Sequence, residues 1–123
     1  MKLVQDHFDA KNFINAFNDS TVTVADKIIN KSVIITPNEI IGWDVKQVEQ
    51  LSVDDWLPVL DHHPEILLLS TGLQHKIIPH SVLMPLYQQH IGIETMNFAS
   101  ACRTYNILAM ENRKVAVALI FNE

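Results

Sequence analysis

One stretch near the C-terminal end of the chain, residues 92–121, decides the fold: it reads GIETMNFASACRTYNILAMENRKVAVALIF. In its centre, apolar side chains recur at positions i, i+3, i+4, i+7, i+10 and i+11, namely Phe98, Ala101, Cys102, Tyr105, Leu108 and Ala109. This spacing predicts an amphipathic helix, and Asn97 is placed to cap its first turn. Residues 93–96 before it predict a short strand. Residues 115–120 after it predict a strand with apolar side chains on both faces.

The preceding third of the chain repeats this alternation of strands and helices. The hydroxyl of Ser52 and the carboxylate of Asp55 are typical of a helix start, and the His-His-Pro sequence at residues 62–64 ends that helix. Residues 66–69 form a continuous apolar run, as expected of a strand covered on both faces. A second helix is predicted over residues 81–90, with Pro85 near its first turn and Gly92 in the left-handed position that follows it.

The N-terminal third has a different pattern. Apolar and polar residues alternate over residues 13–17 and 21–24, and short β-branched runs follow at residues 28–29 and 33–35. Turn-forming residues separate these runs, which predicts an antiparallel meander with one buried face. The pattern does not assign residues 42–44 to a helix or a strand.

Together, these patterns predict an α/β fold in a single domain over residues 1–123. We expect a layered β/α sandwich with a central mixed sheet, mostly parallel, and helices on its flanks. The N-terminal antiparallel meander would add an extra layer.

Composition excludes several classes of protein. The net charge is −5, and the nine lysines and arginines are scattered, so the cationic cluster that binds nucleic acid is missing. Cys102 is the only cysteine, so no disulfide within the chain is expected. No apolar run approaches the ~20 residues that span a bilayer, and the N-terminus resembles neither a signal peptide nor a transit peptide. We therefore expect a soluble protein of the cytoplasm that does not insert into membranes.

Two places carry residues that can bind a ligand. Ser70, Thr71 and Gly72 follow a predicted strand, where backbone amides can hold an anion; the alternative, which we favour, is a tight turn that needs the glycine. Arg103 and Asn106 flank Tyr105 on the last helix. The arginine can reach a carboxylate or phosphate near the strand ends, or it can pair within the protein, for example with Glu94. The candidate ligand-binding residues are therefore Thr71, Gly72, Arg103 and Asn106.

No other motif predicts a catalytic or metal site. Cys102 lies on the apolar stripe with no activating base nearby, which indicates a core residue. The six histidines show no zinc-ligand spacing, and helix capping already accounts for the paired carboxylates Asp54 and Asp55. We expect no catalytic residues, no metal and no cofactor. The sequence leaves open whether Trp43, Trp56 and Tyr87 fill the core or anchor a partner.

The C-terminal half resembles a small family of domains of unknown function that includes mitochondrial complex I assembly factor three and the adipogenesis-associated domain protein. The resemblance is carried by residues 92–96, 101–108 and 115–119, together with Glu111 and Arg113. The run from Leu67 to Gly72 is similar to the family's strand and Gly-Thr-Gly turn, and residues 32–37 are similar to its earlier strand and turn. Ser70 replaces the first glycine of that turn, and Asn97-Phe98 replaces a small polar pair.

The resemblance implies a layered β/α fold whose last strand runs antiparallel to its neighbours. It also implies a module that acts through contacts with proteins rather than by catalysis. We therefore expect a non-enzymatic interaction or assembly-assisting module whose partner is another protein or a second copy of the chain. The alternative is a small-ligand or anion-binding protein, possibly an enzyme, that uses the loop at residues 70–72 and Arg103.

Overall fold

A computed structural model describes residues 10–122. Most of the N-terminal stretch in which we expected no targeting segment lies outside the described residues. The first element is an antiparallel three-stranded sheet, the N-terminal sheet, formed by β1 (Ile14–Phe17), β2 (Val22–Val24) and β3 (Lys27–Ile29) in that order. Ala25 and Asp26 between β2 and β3 both have positive φ, as a two-residue hairpin turn of this hand requires. The predicted meander is thus confirmed for these three strands.

The central sheet has five strands in the order β5-β4-β8-β6-β7. Its members are β4 (Val33–Ile35), β5 (Ile40–Gly42), β6 (Ile66–Ser70), β7 (Gly92–Met96) and β8 (Val115–Leu119). Strand β6 runs parallel to β7 and β8, whereas β4 runs antiparallel to β5 and β8. The mixed sheet is confirmed, with parallel and antiparallel pairs in equal number rather than a parallel majority.

The expected direction of the last strand holds for only one of its neighbours. Strand β8 is antiparallel to β4 but parallel to β6. The physical reason is the long helix before β8: it carries the chain back to the opposite end of the sheet, so the next strand starts in the same direction as β6 and β7.

One face of the central sheet, the tryptophan face, is covered by short helices. These are two 3-10 turns (Val48–Gln50 and Val53–Trp56), α1 (Leu57–His62) and α2 (His80–Gln88). Ser52 donates from both its N–H and its hydroxyl to the Asp55 carboxylate, which confirms the predicted helix start. The rings of Trp43 and Trp56 are 5.7 Å apart, and both side chains are buried in the core of this face.

The opposite face, the α3 face, is covered by α3 (Phe98–Met110) and the N-terminal sheet. The predicted cap is present, since the Asn97 side chain accepts a hydrogen bond from the Ser100 amide. Five of the six residues of the predicted stripe are buried, and Leu108 is partly buried. All five residues of β8 are buried between the two faces, as its apolar sequence predicts.

Two details around α2 differ from the prediction. Pro85 lies inside the helix rather than in its first turn. His90, not Gly92, adopts the left-handed conformation after the helix, with a φ of 60°. Gly92 instead begins β7, where a Cβ atom would lie 3.3 Å from the carbonyl oxygen of Glu65. The glycine eases this close approach of two backbones, since a Cβ atom would require the Glu65 carbonyl to shift by a few tenths of an ångström.

Candidate functional site

A cleft of about 420 Å³ lies where β6 and β8 end. It is bounded by the loop after β6, by turns of the N-terminal sheet, by the start of α3 and by the residues after β8. The side chains with polar or charged groups in its lining are Asp19, Ser20, Asn30, Thr71, Gln74, Lys76 and Asn122. Two of the four predicted ligand residues, Thr71 and Gly72, therefore line a cleft at the carboxyl ends of parallel strands, where ligands gather in open α/β sheets.

The predicted turn at residues 70–72 is held by its own side chains. The Thr71 hydroxyl donates to the Gln74 carbonyl (3.0 Å) and accepts from the Lys76 amide (2.9 Å). Gly72 has a φ of 109°, and a Cβ atom there would lie 2.5 Å from Nδ2 of Asn122. The requirement for glycine at this turn, our favoured interpretation, is confirmed.

The backbone amides of Thr71, Gly72 and Phe98 form hydrogen bonds within the protein. The Thr71 amide donates to the Met96 carbonyl, the Gly72 amide donates to the Ser70 hydroxyl, and the Phe98 amide donates to the Gly72 carbonyl. These bonds join the end of β6 to the start of α3 and use the donors that an anion cradle would need.

The lysine of the cleft already has an acidic partner. Lys76 Nζ lies 2.9 Å from Oε2 of Glu49, and this hydrogen bond lowers the pKa of the Glu49 carboxyl. Both side chains are largely exposed, so the pair is solvated and exchangeable. A ligand anion in the cleft would compete with Glu49 for the ammonium.

The other two predicted ligand residues do not line this cleft; they contact the N-terminal sheet. Asn106 accepts a hydrogen bond from the Ile14 amide and donates one to the Ile14 carbonyl, both at 2.8 Å. Arg103 places its guanidinium 5.5 Å from the ring centre of Phe17 and does not form an ion pair with Glu94 among the described contacts. The structure thus separates the strand-end pair, Thr71 and Gly72, from the helix pair, Arg103 and Asn106.

Cys102 and Tyr105 are buried beneath α3. Burial raises the pKa of the Cys102 thiol to about 12, which keeps it protonated and unreactive at neutral pH. Burial also raises the pKa of Tyr105, whose hydroxyl donates to the Asn12 carbonyl at 2.7 Å. The interpretation of Cys102 as a core residue agrees with this environment.

The described histidines belong to no cluster of potential metal ligands. Across residues 10–122, no group of three or more His, Cys, Asp or Glu side chains is arranged to hold a metal ion. His75 bonds the Thr95 hydroxyl at 2.8 Å, and His80 stacks on Tyr87 with ring centres 5.1 Å apart.

The tryptophans that the sequence left open belong to the core. Trp43 donates from its indole N–H to the Asp55 carbonyl, and Trp56 donates to the Val82 carbonyl. Tyr87, in contrast, is 41% exposed. Of the three aromatic residues, only Tyr87 is accessible to a partner.

Sequence reasoning missed an exposed apolar surface on the loop between β6 and α2. Ile77 is 90% exposed and Leu73 is 57% exposed. Beside Ile77 runs a groove of about 360 Å³ whose apolar lining is Val48, Leu51, Ile77, Ile78, Pro79 and Val82. We call Leu73, Ile77 and this lining the loop surface. The signal was present in the sequence, because two adjacent isoleucines stand in a segment bounded by Gly72 and Pro79 that has no strand or helix pattern.

Comparison with known proteins identifies the family. Residues 14–120 match the family described as "Protein of unknown function (DUF498/DUF598)". The Xenopus tropicalis protein named NADH dehydrogenase [ubiquinone] 1 alpha subcomplex assembly factor 3 is 27% identical over 111 residues, which are 88% of this chain and 60% of that protein. A Francisella tularensis protein named 13 kDa major membrane protein is 29% identical over 77 residues, which are 63% of this chain and 60% of that protein. The chain spans about half to three-fifths of the length of the curated relatives it matches.

Solved structures share the fold. A Xanthomonas campestris structure is 35% identical, with a TM-score of 0.81 and coverage of 98% of this chain and 92% of that chain. A Bartonella henselae structure described as an outer membrane protein is 30% identical, with a TM-score of 0.77 and coverage of 95% and 100%. In residues 10–122 of the present chain, we find no helix with the length and apolar character required to cross a membrane. With its family model matched over most of its length, the chain belongs to the DUF498/DUF598 family.

Proposed function

We propose that this member of the DUF498/DUF598 family is a non-enzymatic module that binds another protein and assists its assembly. The observation that carries the proposal is the loop surface, where Ile77 and Leu73 expose most of their side chains. Apolar side chains that stay in water on the folded chain become favourable contacts once a partner covers them. The names of the animal relatives, which are assembly factors, support the same conclusion.

The polar groups of the described core agree with a binding role rather than a catalytic one. Every buried side-chain nitrogen or oxygen in residues 10–122 has a hydrogen-bond partner. The side chains most suited to chemistry are already engaged: Thr71 closes its own loop, and the Cys102 thiol is buried with a raised pKa.

The test is capture of partners by variants of the loop surface. Tagged wild-type protein should recover a reproducible partner from native lysate, and Ile77→Asp should lose it, because a carboxylate cannot be buried in an apolar interface without a large penalty. Ile28→Asp is the matched control, since Ile28 is 74% exposed on β3 and does not line the groove beside Ile77. Titration of the purified partner should then show at least a tenfold weaker Kd for Ile77→Asp only.

Two outcomes would contradict the proposal. Equal recovery by Ile77→Asp and by the wild type would exclude the loop surface as the interface. If the bait returns alone while the purified protein turns over a metabolite, the module is an enzyme instead.

The second candidate function is binding of a small ligand in the cleft at the ends of β6 and β8. The observation that favours it is the cleft itself, which places Thr71, Gly72 and Lys76 beside about 420 Å³ of open space. A thermal-shift screen with nucleotides, phosphates and carboxylates tests it. A rise in Tm that Lys76→Ala abolishes would support a ligand in the cleft, and loss of the rise in Arg103→Ala would extend the site to α3. No shift with any compound would count against it.

We also propose that the protein works in the cytoplasm, with another protein or a second copy as partner and without nucleic acid. The acidic net charge and the single cysteine support this placement. Cell fractionation decides it: recovery in the membrane pellet at high salt would instead fit the membrane names of the Francisella and Bartonella relatives.

A further inference from the structure

Among residues 10–122, no strand pairs with the outer side of β5. Strand β5 is the terminal strand of the central sheet, and its register with β4 places Ile40 opposite Ile35 and Gly42 opposite Val33. Backbone bonds join the flanking pairs, since the Thr36 amide donates to the Glu39 carbonyl and the Trp43 amide donates to the Ser32 carbonyl.

Hydrogen-bonded and non-bonded pairs alternate along an antiparallel ladder. The amides and carbonyls of Ile40 and Gly42 therefore point away from β4. A Cβ atom built on Gly42 meets nothing within 4 Å, so the face of the sheet at this residue also carries no described atoms that would obstruct a neighbouring strand.

Another sheet edge in the molecule is protected by a side chain, whereas the hydrogen bonds of the described residues show no such protection at β5. The Asn106 side chain bonds both the amide and the carbonyl of Ile14 on β1. Unprotected edges are sites at which extended chains add to a sheet.

A groove of about 430 Å³ runs beside the open edge, between β5 and α1. Its apolar lining is Ile41, Leu57 and Pro58, and Leu57 is 62% exposed. The remaining lining residues are Glu39, Asp61 and His62, with His62 Nδ1 3.6 Å from Oε1 of Glu39. The groove therefore has an apolar floor and an acidic rim.

We propose that β5 is a docking edge for an extended basic segment of a partner protein. The segment adds to β5 as an antiparallel strand and forms hydrogen bonds with the backbone of Ile40 and Gly42. An apolar side chain opposite Ile41 enters the groove against Leu57, and a lysine or arginine two residues later lies opposite Glu39, within reach of Asp61. This edge is separate from the loop surface, so either interface can fail in experiment without the other.

The charge of the rim favours such a segment over a second copy of this chain. If two copies paired through β5 about Ile41, Gly42 of the second copy would lie opposite Ile40. Trp43 of the second copy would then lie opposite Glu39. That pairing gives the carboxylate no cation and brings two acidic grooves to one interface, whereas a basic segment neutralises the rim.

The experiment uses a fluorescein-labelled peptide, Thr-Val-Thr-Leu-Thr-Lys-Thr, titrated with the full chain and followed by fluorescence anisotropy. The leucine is placed for Ile41 and the lysine for Glu39. We expect binding that weakens at least tenfold when glutamate replaces the lysine. We also expect binding to be lost when the threonines on either side of the leucine are N-methylated, because these amides would donate to the carbonyls of Ile40 and Gly42.

Charge exchange in the protein makes the test specific. The double variant with Glu39→Lys and Asp61→Lys should bind the lysine peptide at least tenfold more weakly than the wild type does. It should bind the glutamate peptide more tightly than the wild type does. The matched control is Glu94→Lys combined with Glu111→Lys, which gives the same total change in charge, because both carboxylates are exposed and neither lines the groove. This variant should bind the lysine peptide within about twofold of the wild type. Circular dichroism confirms that each variant is folded.

Three results would overturn the proposal. Unchanged binding of the N-methylated peptide would exclude strand addition. An equal loss in the control variant with Glu94→Lys and Glu111→Lys would reduce the effect to general attraction between charges. A dimer of the wild-type chain that Gly42→Pro abolishes would mean that a second copy occupies the edge.

Discussion

The two faces of the central sheet are held in different ways. On the tryptophan face, the indole N–H groups of Trp43 and Trp56 donate to carbonyls 12 and 26 residues away along the chain. On the α3 face, Tyr105 and Asn106 bond the backbone of Asn12 and Ile14 across separations of 93 and 92 residues. The hydrogen bonds of the tryptophan face join residues close in the sequence. Those of the α3 face join the two ends of the described chain.

This difference explains why polar residues of α3 resemble a site in the sequence. Arg103 and Asn106 interrupt an apolar helix without any partner nearby in the chain, a pattern that also marks ligand-binding residues. Their partners, Phe17 and Ile14, lie on the N-terminal sheet. A polar residue beside an apolar stripe is therefore ambiguous until the fold brings its distant partner to it.

The largest effect is expected on the tryptophan face. Trp56 is fully buried, and Trp56→Ala removes its packing and its bond to Val82. We expect a loss of about 3–5 kcal/mol in the free energy of unfolding, measured by urea denaturation. Val53→Ala, at a 46% exposed position of the same turn, should stay within about 0.5 kcal/mol. A loss below about 1 kcal/mol for Trp56→Ala would mean that this face contributes little.

An intermediate effect is expected on the α3 face. Asn106→Ala leaves the amide and carbonyl of Ile14 without their partner, so we expect a loss of about 1–3 kcal/mol and faster hydrogen exchange at the Ile14 amide. Ile107→Ala, on the next residue of α3 and 57% exposed, should leave both unchanged. Unaltered exchange at Ile14 in Asn106→Ala would show that the long-range bond does not hold β1.

A smaller effect is expected for the contact between Arg103 and Phe17. Arg103 is exposed, and cation–π contacts at such positions contribute about 0.5–1 kcal/mol. Arg103→Ala should lose about this much by urea denaturation. Arg103→Met, which keeps most of the aliphatic stem without the charge, should lose nearly as much. If Arg103→Ala and the wild type have the same free energy of unfolding, Arg103 does not contribute to the stability of this face.

The smallest effect is expected at the end of the sheet that belongs to neither face. The hydrogen bond from Arg113 lowers the pKa of the Glu65 carboxyl. The pair therefore stabilises the fold above the unfolded pKa of about 4.3, and its contribution is lost as the pH falls through the lowered value. The Tm of Arg113→Ala should lie slightly below that of the wild type at pH 7. The gap should close when both are measured near about pH 2, and a gap that persists there would have another cause.

The elements of the fold were largely predictable because their signals are local. The spacing from Phe98 to Ala109 specifies α3, Asn97 caps it, and the apolar runs specify β6 and β8. The φ of Gly72 likewise follows from its place in a turn.

What the sequence could not supply is the pairing between distant segments. Nothing near Val115 shows that β8 lies between β4 and β6, since the register joins residues far apart in the chain. For the same reason, the prediction that Gly92 follows α2 in the left-handed conformation is wrong: His90 adopts it, and Gly92 begins β7 beside the Glu65 carbonyl. In the candidate site, the position of Thr71 and Gly72 at a cleft follows from their place after a strand. The contacts of Arg103 with Phe17 and of Asn106 with Ile14 depend on packing between distant segments.

The bonds from Asn106 to Ile14 also set the order in which a nascent chain can fold. The Asn106 side chain occupies the edge of β1 where another strand would pair. The ribosome adds Asn106 to the chain 92 residues after Ile14. Strand β4 likewise lacks one of its two neighbouring strands until β8 has been synthesised and pairs with it. At about 10 residues per second, the N-terminal strands leave the ribosome roughly 10 s before their partners. Until then their edges are open to chaperones and to neighbouring nascent chains, so the domain completes its two sheets only after β8 has left the ribosome.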